Sequence, residues 1–329
     1  MPVLSLAEAH ALVAEALIRC GTAADNAAPV ARALVGAEAA GLPTHGIGRV
    51  PSYGAQVRAG KIDGRARPSV DRPRPAIVAV DAGHGFAYPA LEAACAALPE
   101  VARAEGLAAA PIRRSHHCGA AGLVVESLAA QGLVALLFAN APAAMAPWGG
   151  TVPLLGTNPV AFACPLPGRD PIVIDLALSK VARGHIVAAQ KRGEPIPEGW
   201  ALDAAGRPTT DPDAALAGTM VPLGDAKGTA LALMVELLAA GLTGGRFAAE
   251  ASSFLDTTGG PPSVGQLILA VDPGTFAEGA VTRFGLLAEA VESQDGARLP
   301  GSRRLAARER ARAEGLRIGD GLLAEIAAV

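Results

Sequence analysis

Between Leu107 and Ala130 the chain changes abruptly from one kind of local order to another. Leu107–Ile112 is an apolar run of strand length, whereas Leu123 to Ala130 places its apolar residues at helical spacing. The junction reads Arg113-Arg114-Ser115-His116-His117-Cys118-Gly119-Ala120-Ala121-Gly122. A buried strand feeding a helix predicts a mixed α/β architecture. The junction also sets two imidazoles and a thiol side by side, with small residues clearing space around them. The free N–H groups of a helix N-terminus attract anions, so a phosphate or carboxylate fits against this backbone with His117 beside it. The alternative is a buried, hydrogen-bonded histidine pair.

The rest of the composition narrows the class. At 329 residues, 51% of them hydrophobic, the chain can bury a large core in two or more lobes. Aromatic residues make up 3%, so that core must be built from small aliphatics and close backbone. A net charge of −3 and no long basic run give no reason to expect nucleic acid. Cys20, Cys95, Cys118 and Cys164 are widely spread, with no CxxC pair, which fits a reducing compartment. The N-terminal residues lack a basic stretch followed by an apolar one. The apolar run nearest to a membrane span, Gly228 to Leu242, is short and interrupted by Glu236. The expectation is a soluble cytoplasmic protein with no membrane partner.

Along the chain, Ser5 and Glu8 form a predicted capping box for a first helix, and Thr22 or Asp25 opens a second. Pro43-Thr44-His45-Gly46 with Arg49 follows. If helix begins near Thr44, His45 and Arg49 share a face, pairing a proton donor with a carboxylate fork, and Thr44 can orient the imidazole. A capping Thr, a loop His and a solvated Arg would read the same way. Lys61 to Pro75 looks like a linker. A helix from Pro89 to Glu105 should be kinked or split at Pro99. Asp175 ends an apolar strand, where it either faces a site or caps a turn. Arg192 to Asp211 reads as a polar surface excursion or lid. Lys227, at the head of an apolar helix, points to an anion or to a snorkelling side chain. Val264–Val271 is a further strand, and the chain from Thr275 onward is mostly helical.

Taken in order, several segments resemble the malate/L-lactate dehydrogenase family of the second type. They are Pro43-Thr44-His45-Gly46 with Arg49, Ser115-His116-His117 with Gly119, Gly156-Thr157-Asn158-Pro159, Asp175 with Ser179, Ala182-Arg183-Gly184, Lys227-Gly228 and Leu299-Pro300-Gly301. No GxGxxG follows any strand, in keeping with that family. The resemblance implies an α/β, non-Rossmann NAD(P)-binding fold with a large mixed sheet plus a helical domain. It implies a helical domain over 1–74 joined by 275–329, a cofactor domain over 75–223, and a third segment over 224–274. It implies NAD(H) or NADP(H), a small carboxylate substrate and a homodimer.

By the same resemblance His45 is the proton donor and acceptor, with Thr44 and His117 beside it. Arg49, Thr157, Arg183 and His185 belong to the substrate. His117, Cys118, Gly119, Ala120, Ala121, Asp175, Leu176, Ala177, Asp225, Lys227, Pro300, Gly301, Arg303 and Arg304 belong to the cofactor. No metal is implied. Three features depart from the family pattern: His116 stands where Asn is usual, Cys118 where an aromatic is usual, and His185 where the imine-reducing branch has an acid. The expected reaction is hydride transfer between NAD(P)H and C2 of a small 2-oxo or 2-hydroxy acid. The alternative is reduction of a cyclic imine acid. Two rivals come from other classes: a metal-dependent lyase or hydrolase using His116, His117, Cys118 and Asp175, and a non-catalytic binding module.

Overall fold

The computed structural model describes residues 2–329. It opens with β1 (Val3–Leu4), α1 (Leu6–Arg19) and α2 (Ala24–Ala39). Two 3-10 turns, Pro43–His45 and Ile47–Arg49, lead into α3 (Val50–Arg58). The sheet region then runs β2 (Ser69–Arg74), β3 (Ile77–Asp81), α4 (Ala87–Glu105), β4 (Leu107–Ser115), α5 (Ala121–Ala129), β5 (Val134–Ala139), β6 (Val160–Leu166) and β7 (Arg169–Leu176). After it come α6 (Arg183–Arg192), β8 (Ala201–Leu202), β9 (Pro208–Thr209), α7 (Pro212–Ala217), β10 (Thr219–Met220) and α8 (Ala226–Glu236). β11 (Val264–Val271), α9 (Pro273–Phe276), α10 (Ala280–Glu292), α11 (Ser302–Glu314), β12 (Leu316–Arg317) and α12 (Asp320–Ala327) complete the chain.

Seven strands form the central sheet in the order β2-β3-β4-β11-β5-β6-β7. Only β3 and β4 run parallel, so the sheet is mixed. β11 lies between β4 and β5, with Leu269 opposite Ala109 on one side and Leu136 on the other. A strand flanked on both edges and covered on both faces reads as continuously apolar, as Leu267–Val271 does. Three cores support the molecule. One lies between the sheet and α4 and α5, around Val80, Leu98, Ile112 and Leu137. A helical core gathers α1, α2 and α3 with Phe86, Tyr88 and the C-terminal Ile318 and Ile326. The third packs Met145, Ile186, Val235 and Leu267.

Several local expectations are met. Ser5 and Glu8 make the reciprocal capping box of α1. The strand expected over Val264–Val271 has those bounds. Others are corrected. α2 is capped at Ala23, with no side-chain bond, so neither Thr22 nor Asp25 opens it. Pro99 does not split α4, whose apolar face, including Leu91, Ala94, Leu98 and Val101, is buried along its length. Pro89 lies in the first turn, where the missing N–H costs nothing. The polar stretch 192–211 is not a bare loop: β8 pairs with both β9 and β10 in a three-stranded sheet. Two sheet strands also lie outside residues 75–223: β2 pairs with β3 as a hairpin, and β11 sits in the middle of the sheet.

Candidate active site

Local backbone rules account for the first wall of the site. Pro43 starts a 3-10 turn, and Gly46, in an extended conformation, ends it before a second turn begins. Glu38 of α2 accepts a hydrogen bond from the Ile47 amide at 2.9 Å and locks the break. A Cβ at position 46 would stand 2.0 Å from the Glu38 carboxylate, so a larger residue there would push that carboxylate off the Ile47 amide. The expected continuous helix is therefore two turns with a kink. The kink brings Arg49 Nε back to the Thr44 carbonyl at 2.8 Å. That bond anchors the guanidinium and leaves its outer nitrogens unclaimed by protein.

The second wall is the strand-to-helix junction. His117 leaves the end of β4 and stacks on His45, ring centroids 5.3 Å apart and planes 12° apart. No hydrogen bond joins the Thr44 hydroxyl to the His45 ring, and His45 Nδ1 is buried without a protein partner. Instead the methyl of Thr44 packs against Gly184, joining this wall to the head of α6. His117 Nδ1 lies 2.7 Å from the Tyr53 hydroxyl. His116 faces away, its Nε2 at 2.9 Å from the Gln56 side-chain oxygen. Phe254 covers both rings, with centroids 5.0 Å from His116 and 5.4 Å from His117.

Burial dominates the electrostatics. It pushes His45 down to about 4, with the Arg49 charge adding to the effect. Burial, then the charges of Lys61 and Arg49, takes His116 to about 3. His117 is held well below its ordinary value, first by burial and then by Arg49. All three rings are thus neutral near pH 7. In the unfolded chain they titrate near 6.5, so acid adds protons to the unfolded state first. Stability is therefore expected to fall as pH drops from 6.5 towards 4, by roughly 2 kcal/mol each from His45 and His116 between pH 7 and pH 5, with His117 acting in the same direction. Thermal melts at those two pH values check this; an equal Tm at both would contradict it.

One cavity of about 1290 Å³ takes in Thr44, His45, Arg49, His117, Cys118, Gly119, Thr157, Asp175, Leu176, Ala177, Arg183, His185, Pro300, Gly301, Arg303 and Arg304. Of the residues expected at the site, Ala120 and Ala121 lie behind this surface at the start of α5. Asp225 and Lys227 are exposed and outside the lining. The spacing of Lys227 before an apolar helix is real, but α8 does not point its N-terminus into this cavity. The N-terminus of α5 does hold an anion, and it is internal: the Gly122 amide donates to Asp175 Oδ2 at 2.7 Å. Burial raises Asp175, while that bond and Arg304 pull it back.

Two cations lining the cavity each carry one buried nitrogen without a partner, although Arg183 Nη1 reaches the Ala143 carbonyl and Arg304 Nη2 the Val173 carbonyl. Arg183 Nε and Arg304 Nη1 are buried without hydrogen bonds. Burial pulls the Arg183 guanidinium below its usual range. Unsatisfied buried donors of this kind call for an anionic ligand. A nicotinamide dinucleotide fits this donor set: Arg298, Arg303 and Arg304 suit phosphate at one end, and the stacked imidazoles lie in the same cavity. Among the described residues, no group of three or more His, Cys, Asp or Glu side chains is arranged to hold a metal.

The structure also uses residues that sequence reasoning passed over. Lys61, placed in a linker, is buried, and its Nζ donates to the carbonyls of Thr258 at 2.7 Å and Asp256 at 3.0 Å. Gln56 Nε2 donates to the Phe254 carbonyl at 3.0 Å. Together they pin the 254–258 loop over the imidazoles. Glu236, read as an interruption of an apolar run, accepts from Asn140, Asn158 and the Ala248 amide. A buried charge on an otherwise apolar helix was the available signal.

The malate/L-lactate dehydrogenase family model matches residues 4–327. This chain belongs to that family. It is 53% identical to the (2R)-3-sulfolactate dehydrogenase (NADP(+)) of Chromohalobacter salexigens, over 99% of this chain and 97% of that one. It is 42% identical to the Delta(1)-pyrroline-2-carboxylate reductase of Ancylobacter novellus, with the same coverage. The solved delta1-piperideine-2-carboxylate reductase from Pseudomonas syringae superposes with a TM-score of 0.93 at 39% identity, covering 99% of both chains. As a malate/L-lactate dehydrogenase family member, the protein is an oxidoreductase on a mixed-sheet α/β fold.

Proposed function

We propose that this chain catalyses reversible hydride transfer between NAD(P)H and C2 of a small 2-oxo or 2-hydroxy acid. The observation that carries the reading is the stacked His45–His117 pair beside Arg49, whose outer nitrogens have no protein partner. Nicotinamide, when bound, supplies or accepts the hydride. The protein's own tasks are orientation and proton handling. Arg49 holds the substrate carboxylate through its planar fork. His45, neutral in the ligand-free protein, takes the hydroxyl proton during oxidation. In reduction it gives that proton to the carbonyl oxygen, and a carboxylate docked on Arg49 offsets the charge that opposes its protonation. Thr157, Arg183 and His185 serve the rest of the substrate. His117, Cys118, Gly119, Asp175, Leu176, Ala177, Pro300, Gly301, Arg303 and Arg304 serve the cofactor.

Arg183 supports a substrate with a second anionic group, such as the sulfonate of sulfolactate. The likeness to the two imine acid reductases supports a second reading, in which a cyclic imine acid is reduced. His185, where an acid would complete a proton relay, weighs for the first. Absorbance of NADH and NADPH with a panel of 2-oxo acids and one cyclic imine acid separates them. Oxidation with a 2-oxo acid is expected; oxidation with the imine alone would transfer the assignment. Arg49→Lys is expected to raise KM for the 2-oxo acid about tenfold or more, because an ammonium lacks the fork. An unchanged KM would remove Arg49 from the substrate site.

We further infer a homodimer in a reducing cytoplasm. α8 and the turn after it leave Leu231, Leu233, Leu237 and Leu242 exposed, a face suited to a second copy. All four cysteines are free.

A further inference from the structure

We propose that Tyr88 and Tyr53 form a hydroxyl chain that fixes His117 in the tautomer protonated on Nε2, so that the ring offers an N–H to the substrate's 2-oxo oxygen. Tyr53 is then a positioning residue for the reaction. The inference rests on reading the cavity as a 2-oxo acid site.

The sequence contains two tyrosines in all, and both stand behind His117. Tyr53 Oη is 2.7 Å from His117 Nδ1 and 3.0 Å from Tyr88 Oη. Both phenols are buried. Three polar atoms in line share two hydroxyl protons, and the line can run in two directions. If it runs outward, Nδ1–H donates to Tyr53 and Tyr53 to Tyr88. The Tyr88 proton then has no acceptor in a buried site, which is costly. If it runs inward, Tyr88 donates to Tyr53 and Tyr53 to Nδ1, and every buried O–H is satisfied. Burial holds both phenols above their usual range, so both keep the protons this requires.

With Nδ1 accepting, the single proton of the neutral ring is on Nε2. That nitrogen has no protein hydrogen bond and is not sealed off, and the ring lines the cavity next to His45. The two imidazoles thereby divide the work. His45 carries the proton, and His117 donates a hydrogen bond to the oxygen on which charge develops. The glycine of the junction belongs to this device. Gly119 has φ +70°, and a Cβ there would stand 2.8 Å from the Tyr88 ring. Glycine at that position admits the second phenol.

The test uses the full-length protein labelled with 15N in histidine, with a His117→Asn variant to assign the ring. The ligand-free protein is expected to show His117 protonated on Nε2. Tyr53→Phe keeps the ring and removes the hydroxyl; it should convert the signal to mixed tautomers and lower kcat about tenfold, with KM for NADPH unchanged. A wild-type ring protonated on Nδ1 would overturn the proposal. So would a Tyr53→Phe variant with the wild-type tautomer and wild-type kcat. Failure of the 2-oxo acid reading is seen separately, as absence of wild-type turnover with every 2-oxo acid, whatever the tautomer.

Discussion

Replacing His45 by alanine is expected to lower kcat by 10²-fold or more while the protein still folds and binds nucleotide. A positioned general acid or base contributes roughly 10²–10⁴-fold. Neither neighbouring imidazole replaces it as the proton carrier: His117 is held at Nδ1 by the Tyr53 hydroxyl, and His116 is engaged by Gln56. The side chain is half-buried at the cavity wall and its Nδ1 has no protein partner, so truncation leaves no donor stranded. The arginines assigned to the phosphates belong to the segment that ends in α11, on a different element. Fluorescence titration of NADPH should therefore give a Kd within about threefold of wild type, a shift below 1 kcal/mol. A His45→Ala variant turning over at near-normal rate would remove His45 from the chemistry.

The second large effect is on stability. Glu236→Leu should destabilise the protein by about 3–5 kcal/mol, read as a loss of Tm and of denaturant midpoint. The carboxylate is buried among Asn140 Nδ2 at 3.1 Å, Asn158 Nδ2 at 2.7 Å and the Ala248 amide. Leucine would match the apolar run that surrounds position 236, and sequence pattern alone would favour it. It would leave three N–H groups without acceptors. Burial raises the Glu236 pKa, and the hydrogen bonds from Asn158, Ala248 and Asn140 oppose that shift. Glu236→Gln cannot substitute, since its amide group would face donors with a donor. The loss should also reach the site, because Asn158 follows Thr157 and Asn140 is itself a lining residue of the cavity. A Glu236→Leu protein as stable as wild type would mean that the three donors find water or other partners.

What the sequence revealed of this molecule, and what it concealed, divides along a physical line. Local order was legible. The Ser5–Glu8 box, the strand Val264–Val271 and the strand-to-helix junction at His117 are consequences of neighbours within a few residues. Strand order was not, because nothing within Val264–Val271 records that it lies between β4 and β5. The cavity residues came from an ordered set of short segments, and most do line one cavity. Asp225 and Lys227 do not, since whether a helix head faces a cavity depends on packing rather than on spacing. The polar residues behind the site were the hardest to see. Lys61 looks solvated in a segment rich in Pro, Gly and Arg, and only the distant 256–258 carbonyls explain its burial. Tyr53 and Tyr88 carry no motif; their rarity in an aromatic-poor chain was the one available hint.

Hydride transfer by this protein is tested most simply by following the transferred hydrogen. The protein would be incubated with a 2-oxo acid that supports turnover and with reduced nicotinamide dinucleotide carrying deuterium at both C4 positions. The product would be examined by proton NMR and mass spectrometry. Hydride transfer predicts one deuterium per product molecule, bound at C2, with none lost to solvent. A reduced product bearing solvent hydrogen at C2 would contradict direct transfer across the His45–Arg49 site and the reading of this cavity as a dehydrogenase site.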